Sequence, residues 1–266
     1  MERSLLKNIL IISILTIACL FTAFTPTGER EAEFKLTRVV IDAGHGGKDP
    51  GTIGAVSREK DIALKIALQV GKYIEENMKG VEVIYTRKTD VFIELKERAN
   101  IANRNKAHLF ISIHCNATGN KGVSGTETFV MGNKNFEGNF DIVKRENSVI
   151  LLEDDFEENY EGFDPKSPES YMMFNLMQKA YFSNSLSLAQ KIEGDFTSRV
   201  NRKSRGVKQA PFYVLWTTSM PSVLIETGFL SNSAEEQYLN SKNGQTYLAS
   251  AIYRSIKAYK EEIESM

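Results

Sequence analysis

Hydrophobic and polar positions alternate along the chain in a way that predicts strands and helices in turn. Phe34 to Asp42 (FKLTRVVID) ends in a near-continuous β-branched run, the pattern of a strand covered on both faces. After a glycine-rich turn, residues 59 to 78 place Ile62, Ile66, Val70 and Ile74 four apart with Ala63 and Ala67 beside them, which gives one apolar helical face. Val81 to Thr86 alternates as a strand. Phe92 to Lys106 carries Phe92, Leu95, Ala99 and Ala102 on one side of a helix, and Leu109 to Ile113 (LFISI) reads as a second buried strand. Strands alternating with helices imply a largely parallel sheet with helices on both faces. Reactive groups then gather where loops leave the strand C-termini.

In the second half Gly125 to Met131 reads as a strand, and Gly132 to Pro165 is acidic and keeps no sustained period. Connections longer than about 12 to 15 residues inside a compact domain are usually functional or mobile, so residues 132–166 read as an insertion that can carry a regulatory role. Ser167-Pro168-Glu169 supplies an N-cap and a proline at the first helical position for a long helix to about Phe196. Phe212 to Leu215 and Ser222 to Glu226 (SVLIE) read as short strands, and Ser233 to Glu236 as a capping box opening the C-terminal helical region. The expectation is one α/β domain over residues 36–264. It would be a twisted, mostly parallel mixed sheet of about six strands, flanked by helices on both faces and carrying an inserted regulatory segment.

Composition narrows the function classes. With 266 residues, 42% hydrophobic and only 6 prolines, the chain is neither disordered nor collagenous. Lysine and arginine number 33 against 34 acidic residues, so there is no basic field to attract nucleic acid, and nucleic-acid partners are not expected. The chain is expected to act as a monomer. Cys19 and Cys115 cannot form a disulfide framework.

Arg3 and Lys7 precede an uncharged run from Ile9 to Phe24, the basic and apolar regions of an export signal. Residues 1–24 therefore read as a signal peptide or N-terminal anchor and residues 25–35 as a linker. The run is short for a membrane span of about 20 residues yet lacks a clean small-x-small cleavage site, so both readings stand. Cys19 reads as an apolar-region residue and not a lipoprotein cysteine, because Thr16 stands where leucine is expected and Leu20-Phe21 follow.

Two of the three histidines fall at strand C-termini: His45 in the glycine turn and His114 directly after LFISI. Glu59 opens the next helix, where its carboxylate can turn back towards the His45 loop. Two imidazoles and a carboxylate are the ligand set of a catalytic zinc site with a fourth position for water, and zinc-assisted amide hydrolysis also needs a general base. Glu226, ending SVLIE at the same sheet edge, is the candidate. Each piece has a plainer alternative: a histidine in a glycine loop is often a hydrogen-bonded turn residue, and a glutamate can simply cap a strand in water. Convergence of all four residues at one edge favours the metal site.

These residues lie within four strings, VVIDAGHGGKDPGTIG (Val39 to Gly54), SREKD (Ser57 to Asp61), FISIHCNA (Phe110 to Ala117) and PSVLIETGFLSN (Pro221 to Asn232). In this order they resemble the motifs of the zinc-dependent N-acetylmuramoyl-L-alanine amidases, the amidase_3 family, over about residues 36 to 260. The resemblance implies one Zn2+ held by His45, Glu59 and His114, with Glu226 as the catalytic glutamate. It implies cleavage of the amide between the lactyl group of N-acetylmuramic acid and L-alanine of peptidoglycan, in wall remodelling and daughter-cell separation.

Cys115, where the family more commonly has alanine, reads as a small buried hydrophobe, and His108, six residues before His114, lies too far along a strand to reach the metal. The insertion is similar to that of autoinhibited members in which a helix blocks the zinc cleft. Lys144-Arg145-Glu146-Asn147 makes Glu146 the candidate inhibitory ligand, released by a partner such as a LytM-type activator. Composition alone reads Glu146 and the run Glu153-Asp154-Asp155 as a solvated face. Arg87 and Arg98 resemble family positions near the cleft, where an arginine fork could hold a stem-peptide carboxylate, although surface ion pairing is the commoner role of a helical arginine. The resemblance favours the periplasm, with an extracellular wall as the alternative location. A zinc carboxypeptidase acting on wall peptides, or a non-catalytic regulator of wall hydrolysis, are the competing readings.

Overall fold

The computed structural model describes residues 34–176 and 181–265. The expected leader, Cys19 and most of the expected linker lie outside the described residues. Among the described residues no helix is long and apolar enough to cross a membrane. Every element below belongs to the unit Lys35–Met266.

The chain runs β1 (Arg38–Ala43), α1 (Glu59–Asn77), β2 (Glu82–Tyr85), α2 (Leu95–Arg104), β3 (Leu109–Asn116), β4 (Thr126–Val130) and α3 (Phe136–Asn147). A 3-10 turn (Ser148–Leu152), the one-turn helix α4 (Phe156–Asn159) and a second 3-10 stretch (Pro168–Leu176) follow. Then come α5 (Phe182–Val200), β5 (Ser204–Gln209), α6 (Tyr213–Trp216), β6 (Ser222–Phe229), α7 (Ser233–Asn240) and α8 (Lys242–Ile263). The six strands form one sheet in the order β2-β1-β3-β6-β4-β5. Neighbours are parallel except β4 and β6. The fold is thus the mostly parallel mixed α/β sheet expected from the sequence.

Period-two alternation gives the sheet two apolar faces. Val39, Ile41, Ile111, Ile113, Val223 and Ile225 join the core that contains Ile62, Ile66, Val70 and Ile74 of α1, together with residues of α5 and α8. Those four isoleucine and valine side chains of α1 are completely buried, and each contributes about 1.5 to 3 kcal/mol by leaving water. Val40, Phe110, Leu224 and Phe129 face the other way, into a core shared with α2, α3 and α6. The same alternation carries Asp42, Ser112, His114 and Glu226 onto this second face.

Three local expectations are corrected and one strand is added. The long helix from Ser167 to Phe196 is a 3-10 stretch and a separate α-helix, because Tyr171 turns into an aromatic cluster with Phe136, Phe140 and Phe163 and donates its hydroxyl to Pro165 O. Phe212 to Leu215, expected as a strand, is a helical turn whose Leu215 and Trp216 amides return to Phe212 O; four apolar residues are too few to fix a period. The N-cap of α7 is Asn232, which accepts from the Ala234 and Glu235 amides, while Glu236 leaves the capping box to accept from the Val56 and Ser57 amides. Strand β5 had no counterpart in the sequence reading, because SRGVKQ is polar and its alternation is broken by a bulge.

Candidate metal centre

Strand β1 delivers the chain to a tight turn against β3. A side chain on Gly44 would run into the imidazole of His114, so only glycine lets the strands come this close. His45 follows in the left-handed region, with φ of 61°. The strained turn is held from behind: Arg98 donates to the backbone oxygens of Ala43 and His45, and Arg87 to those of Ala43 and Gly44. Arg98 also pairs at 2.8 Å with Asp42, whose carboxylate accepts from Thr86 and Ser112 hydroxyls as well. Burial works to raise the Asp42 carboxyl, but Arg98 and these hydroxyls hold it below its ordinary value.

Glu59 is the first residue of α1, where helix N-terminal amides favour a carboxylate. Its oxygens accept from the Thr52 and Cys115 amides at 2.8 Å each. These bonds aim Glu59 Oε1 at both imidazoles, 3.0 Å from His45 Nε2 and 3.1 Å from His114 Nδ1. Asp49 Oδ2, 2.7 Å from His45 Nδ1, accepts its proton and leaves the Nε2 lone pair facing inward.

The insertion brings a fourth donor atom to the same point. Glu146, in the last turn of α3, brings Oε2 to 3.3 Å from His45 Nε2 and 3.1 Å from His114 Nδ1. The two imidazole nitrogens are themselves 3.2 Å apart. A tetrahedral ion bonded at about 2.0 to 2.2 Å needs donor atoms about 3.3 Å from one another, and the two imidazole nitrogens, 3.0 to 3.3 Å from each other and from both carboxylate oxygens, suit zinc. Without a cation, the two carboxylates keep the imidazoles protonated: burial pulls His114 down, yet Glu146 and Glu59 raise it to about 9. Burial likewise opposes His45, and Glu59, Asp49 and Glu146 overcome it.

Glu226 lies beside His114 in the β3–β6 register. It is completely buried, and neither carboxylate oxygen has a hydrogen-bond partner. Burial, reinforced by Glu146 and Glu59, pushes its carboxyl well above the ordinary range. Its near cation is Arg145, whose Nη2 stands 3.9 Å from Oε1. Arg145 also donates to Glu146, to Asn116 Oδ1 and to Ala117 O. Asn147, next in the chain, fixes α3 by donating to Pro211 O and accepting from the Tyr213 amide.

His45, Glu59, His114, Glu146 and Glu226 therefore meet in one buried pocket. Arg98 borders the cavity lined by His45, His114 and Glu146 and Arg87 lies behind it; they are 1% and 3% exposed, and each makes four hydrogen bonds within the protein. Their hydrogen bonds to the backbone oxygens of residues 43–45 make them supports of the His45 turn. Cys115 is buried on the opposite face from His114, as a small apolar residue. His108 accepts from the Thr37 amide through Nδ1, away from the pocket. The acidic run is not a uniform solvated face: Glu146 and Glu153 are buried, whereas Asp154 is open to water. Sequence reading missed Asp49 and Arg145, although Asp49 stands in the same glycine string as His45 and Arg145 beside the Glu146 it singled out.

The sequence matches the model of the family described as N-acetylmuramoyl-L-alanine amidase over residues 39–258. It is 33% identical over 224 residues to the N-acetylmuramoyl-L-alanine amidase AmiA of Escherichia coli K12, covering 83% of this chain and 75% of that one. The fold is similar to the crystal structure of an N-acetylmuramoyl-L-alanine amidase from Clostridium difficile 630, with TM-score 0.64, 28% identity, and 86% and 98% of the two chains covered. It is also similar to the CwlD amidase of Clostridioides difficile, solved in complex with the GerS lipoprotein, with TM-score 0.63, 28% identity, and coverage of 85% and 99%. With the family's motifs converging in one pocket of the family's fold, the chain belongs to the N-acetylmuramoyl-L-alanine amidases.

Proposed function

We propose that this peptidoglycan amidase is zinc-dependent and that α3 closes its site until a partner withdraws it. The observation that carries the reading is the set of four ligand atoms within 4.8 Å of one another, beside a buried carboxylate with no hydrogen bond of its own. His45, Glu59 and His114 would hold the ion. Bound there, zinc would acidify a water and polarise the lactyl carbonyl. Glu226 is the general base: it takes the proton from the attacking water and returns it to the nitrogen of L-alanine as the C–N bond breaks. The products are a muramic carboxylate and a stem peptide with a free amine. A carboxylate whose affinity for protons is raised by burial suits both transfers.

Glu146 supports the closed reading because its Oε2 takes the position that a substrate water needs, next to both imidazoles. Arg145 closes the base in the same way by drawing on Glu226. Withdrawal of α3 would free both residues, and the CwlD–GerS complex is a precedent for a protein partner of a similar amidase; the LytM-type activator is the proposed class. Export to the periplasm, or to an outer wall, is supported by Arg3, Lys7 and the apolar run that follows them. The protein would work there as a monomer in wall remodelling and daughter-cell separation.

The test is digestion of purified peptidoglycan with zinc by the wild type, Glu146→Ala and Glu226→Ala, with products read by mass spectrometry. Glu146→Ala should release stem peptides beginning at L-alanine faster than the wild type, and Glu226→Ala should release almost none. Equal rates for wild type and Glu146→Ala would remove the gate. Release of single C-terminal residues would make the enzyme a carboxypeptidase, and inactivity of every folded, zinc-loaded form would make it a regulator.

A further inference from the structure

Strand β4 pairs with β6 so that Glu127 lies directly opposite Glu226. Directly opposed residues point to the same face of a sheet, so Glu127 stands on the face of the metal pocket. It is buried, with a side chain 4% exposed, and it is not turned towards the ligands. Asn116 donates to its Oε2 at 3.0 Å, while Arg205 and Lys208 of β5 both donate to its Oε1, at 2.7 and 2.6 Å. The oxygen of the same Asn116 amide accepts from Arg145. The cation pair is thus linked through Glu127 and Asn116 to Arg145 of α3, and β4 lies between it and the strand that carries Glu226.

That both cations reach one oxygen is the work of a β-bulge. Thr126 pairs with Ser204 and Thr128 with Val207, so Arg205 and Gly206 together oppose the single residue Glu127. Gly206 takes φ of 87°, a conformation that L side chains rarely adopt. In a regular strand, residues three apart face opposite sides. The extra residue turns Arg205 and Lys208 to the same side, with Lys208 next to Phe129 and Arg205 over the Phe229 ring. Ser204 and Thr126 face the other way, onto Glu193.

A buried carboxylate is balanced by one cation. Here there are two, at 31% and 29% side-chain exposure, so the cluster keeps a positive charge open to solvent. Such a surplus beside an amidase site suits an anionic substrate group. Opposed residues of an antiparallel pair lie about 4.5 to 5.5 Å apart, and an extended peptide advances about 3.3 to 3.6 Å per residue. The charge therefore sits where a group one or two residues beyond the scissile amide would fall.

We propose that Arg205 and Lys208, gathered on Glu127 by the Gly206 bulge, form a subsite for the free α-carboxylate of the stem-peptide residue that follows L-alanine. The inference rests on the amide-hydrolysis reading above. The subsite selects stems with an acid at this position over stems in which it is amidated, since an amide loses the charge and one of the acceptor oxygens.

The test uses the full chain carrying Glu146→Ala, alone and with Lys208→Gln, Arg205→Gln or both. The ligands are two synthetic muramoyl peptides that differ only in D-isoglutamate or D-isoglutamine after L-alanine. Binding is read by calorimetry on the same chains with Glu226→Ala, and hydrolysis by kcat and KM on the active ones. The acid form should bind about tenfold more tightly than the amide form, through KM and not kcat, and the ratio should fall towards one in the Lys208→Gln and double variants. Lys208→Arg should retain it. Equal binding of the two peptides by the parent, or an unchanged ratio in a folded double variant, overturns the subsite. Selective binding without any hydrolysis would instead overturn the amidase reading and leave the subsite standing.

Discussion

Asp49 Oδ2 lies 2.7 Å from His45 Nδ1, four residues on in the same loop, and so decides which imidazole nitrogen faces the metal pocket. Its other oxygen accepts from the Gly51 amide, which fixes the carboxylate before any ion binds. Partners of this kind are worth about 10- to 100-fold in metal affinity. Asp49→Ala should therefore weaken zinc binding by about that factor in competition with a chelating dye, with hydrolysis recovered at high zinc. Unchanged affinity would mean that the His45 tautomer is set by Glu59 alone.

Arg98 and Asp42 form the buried pair behind the same turn. Removing one partner of a buried ion pair leaves the other uncompensated and costs about 3 to 5 kcal/mol, so Arg98→Met should lower the unfolding free energy by that amount. Asp42 adds a pH signature. Its folded pKa is below the ordinary 3.8, so its stabilisation is present above that value and is lost as pH falls through the lower, folded one. Urea titrations should show a stability loss below about pH 4 in the wild type, shallower in Asp42→Asn. A wild-type curve no steeper than that of the variant would deny Asp42 this role.

The convergence of His45, Glu59, His114 and Glu226 was legible because strand C-termini and helix starts can be placed from periodicity, and a parallel sheet aligns them at one edge. What periodicity does not carry is the path of a loop or the depth of a long side chain. Asp49 was hidden by the first limit, since nothing in GHGGKDPG says that its aspartate turns back on its histidine. The burial of Arg87 and Arg98 was hidden by the second: their places were evident, but only the fold shows their guanidinium groups hydrogen-bonded to backbone oxygens and, for Arg98, to Asp42. Strand β5 escaped because the bulge at Gly206 breaks the alternation by which a strand is recognised. Charge composition did not separate Glu146 and Glu153 from their exposed neighbours, because it does not reveal which member of an acidic run is buried; Glu146 was singled out by the family resemblance alone.

Gly44 sets how near β1 can come to His114. A methyl group there would overlap the imidazole ring, and the ring cannot move without leaving Glu59, 3.1 Å from its Nδ1. Gly44→Ala should keep the fold, as judged by circular dichroism, yet bind zinc at least about tenfold more weakly, as expected when ligand placement is lost. Wild-type affinity in a folded Gly44→Ala protein would show that the turn has more room than the backbone indicates.

Helix α2 has no side-chain cap of its own, and the insertion provides one. Glu153 Oε1 accepts from the Leu95 amide at 2.9 Å, and its Oε2 from the Tyr160 hydroxyl at 2.7 Å, which in turn accepts from the Lys96 amide at 3.2 Å. Loss of a helix cap costs about 0.5 to 2 kcal/mol, so Glu153→Ala should lower stability modestly while speeding amide exchange over residues 148–163 far more than in the sheet. Burial raises the Glu153 carboxyl above 4.5, partly offset by Tyr160 and Leu95. Its contribution is then full below that value and declines as pH rises through the folded one. Exchange in this segment, corrected for the intrinsic effect of pH, should therefore quicken from about pH 5 to pH 8 in the wild type and stay level in Glu153→Gln. Equal pH dependence in both proteins would mean that the segment is held by its aromatic contacts alone, and that a partner lifting α3 has no second attachment to break.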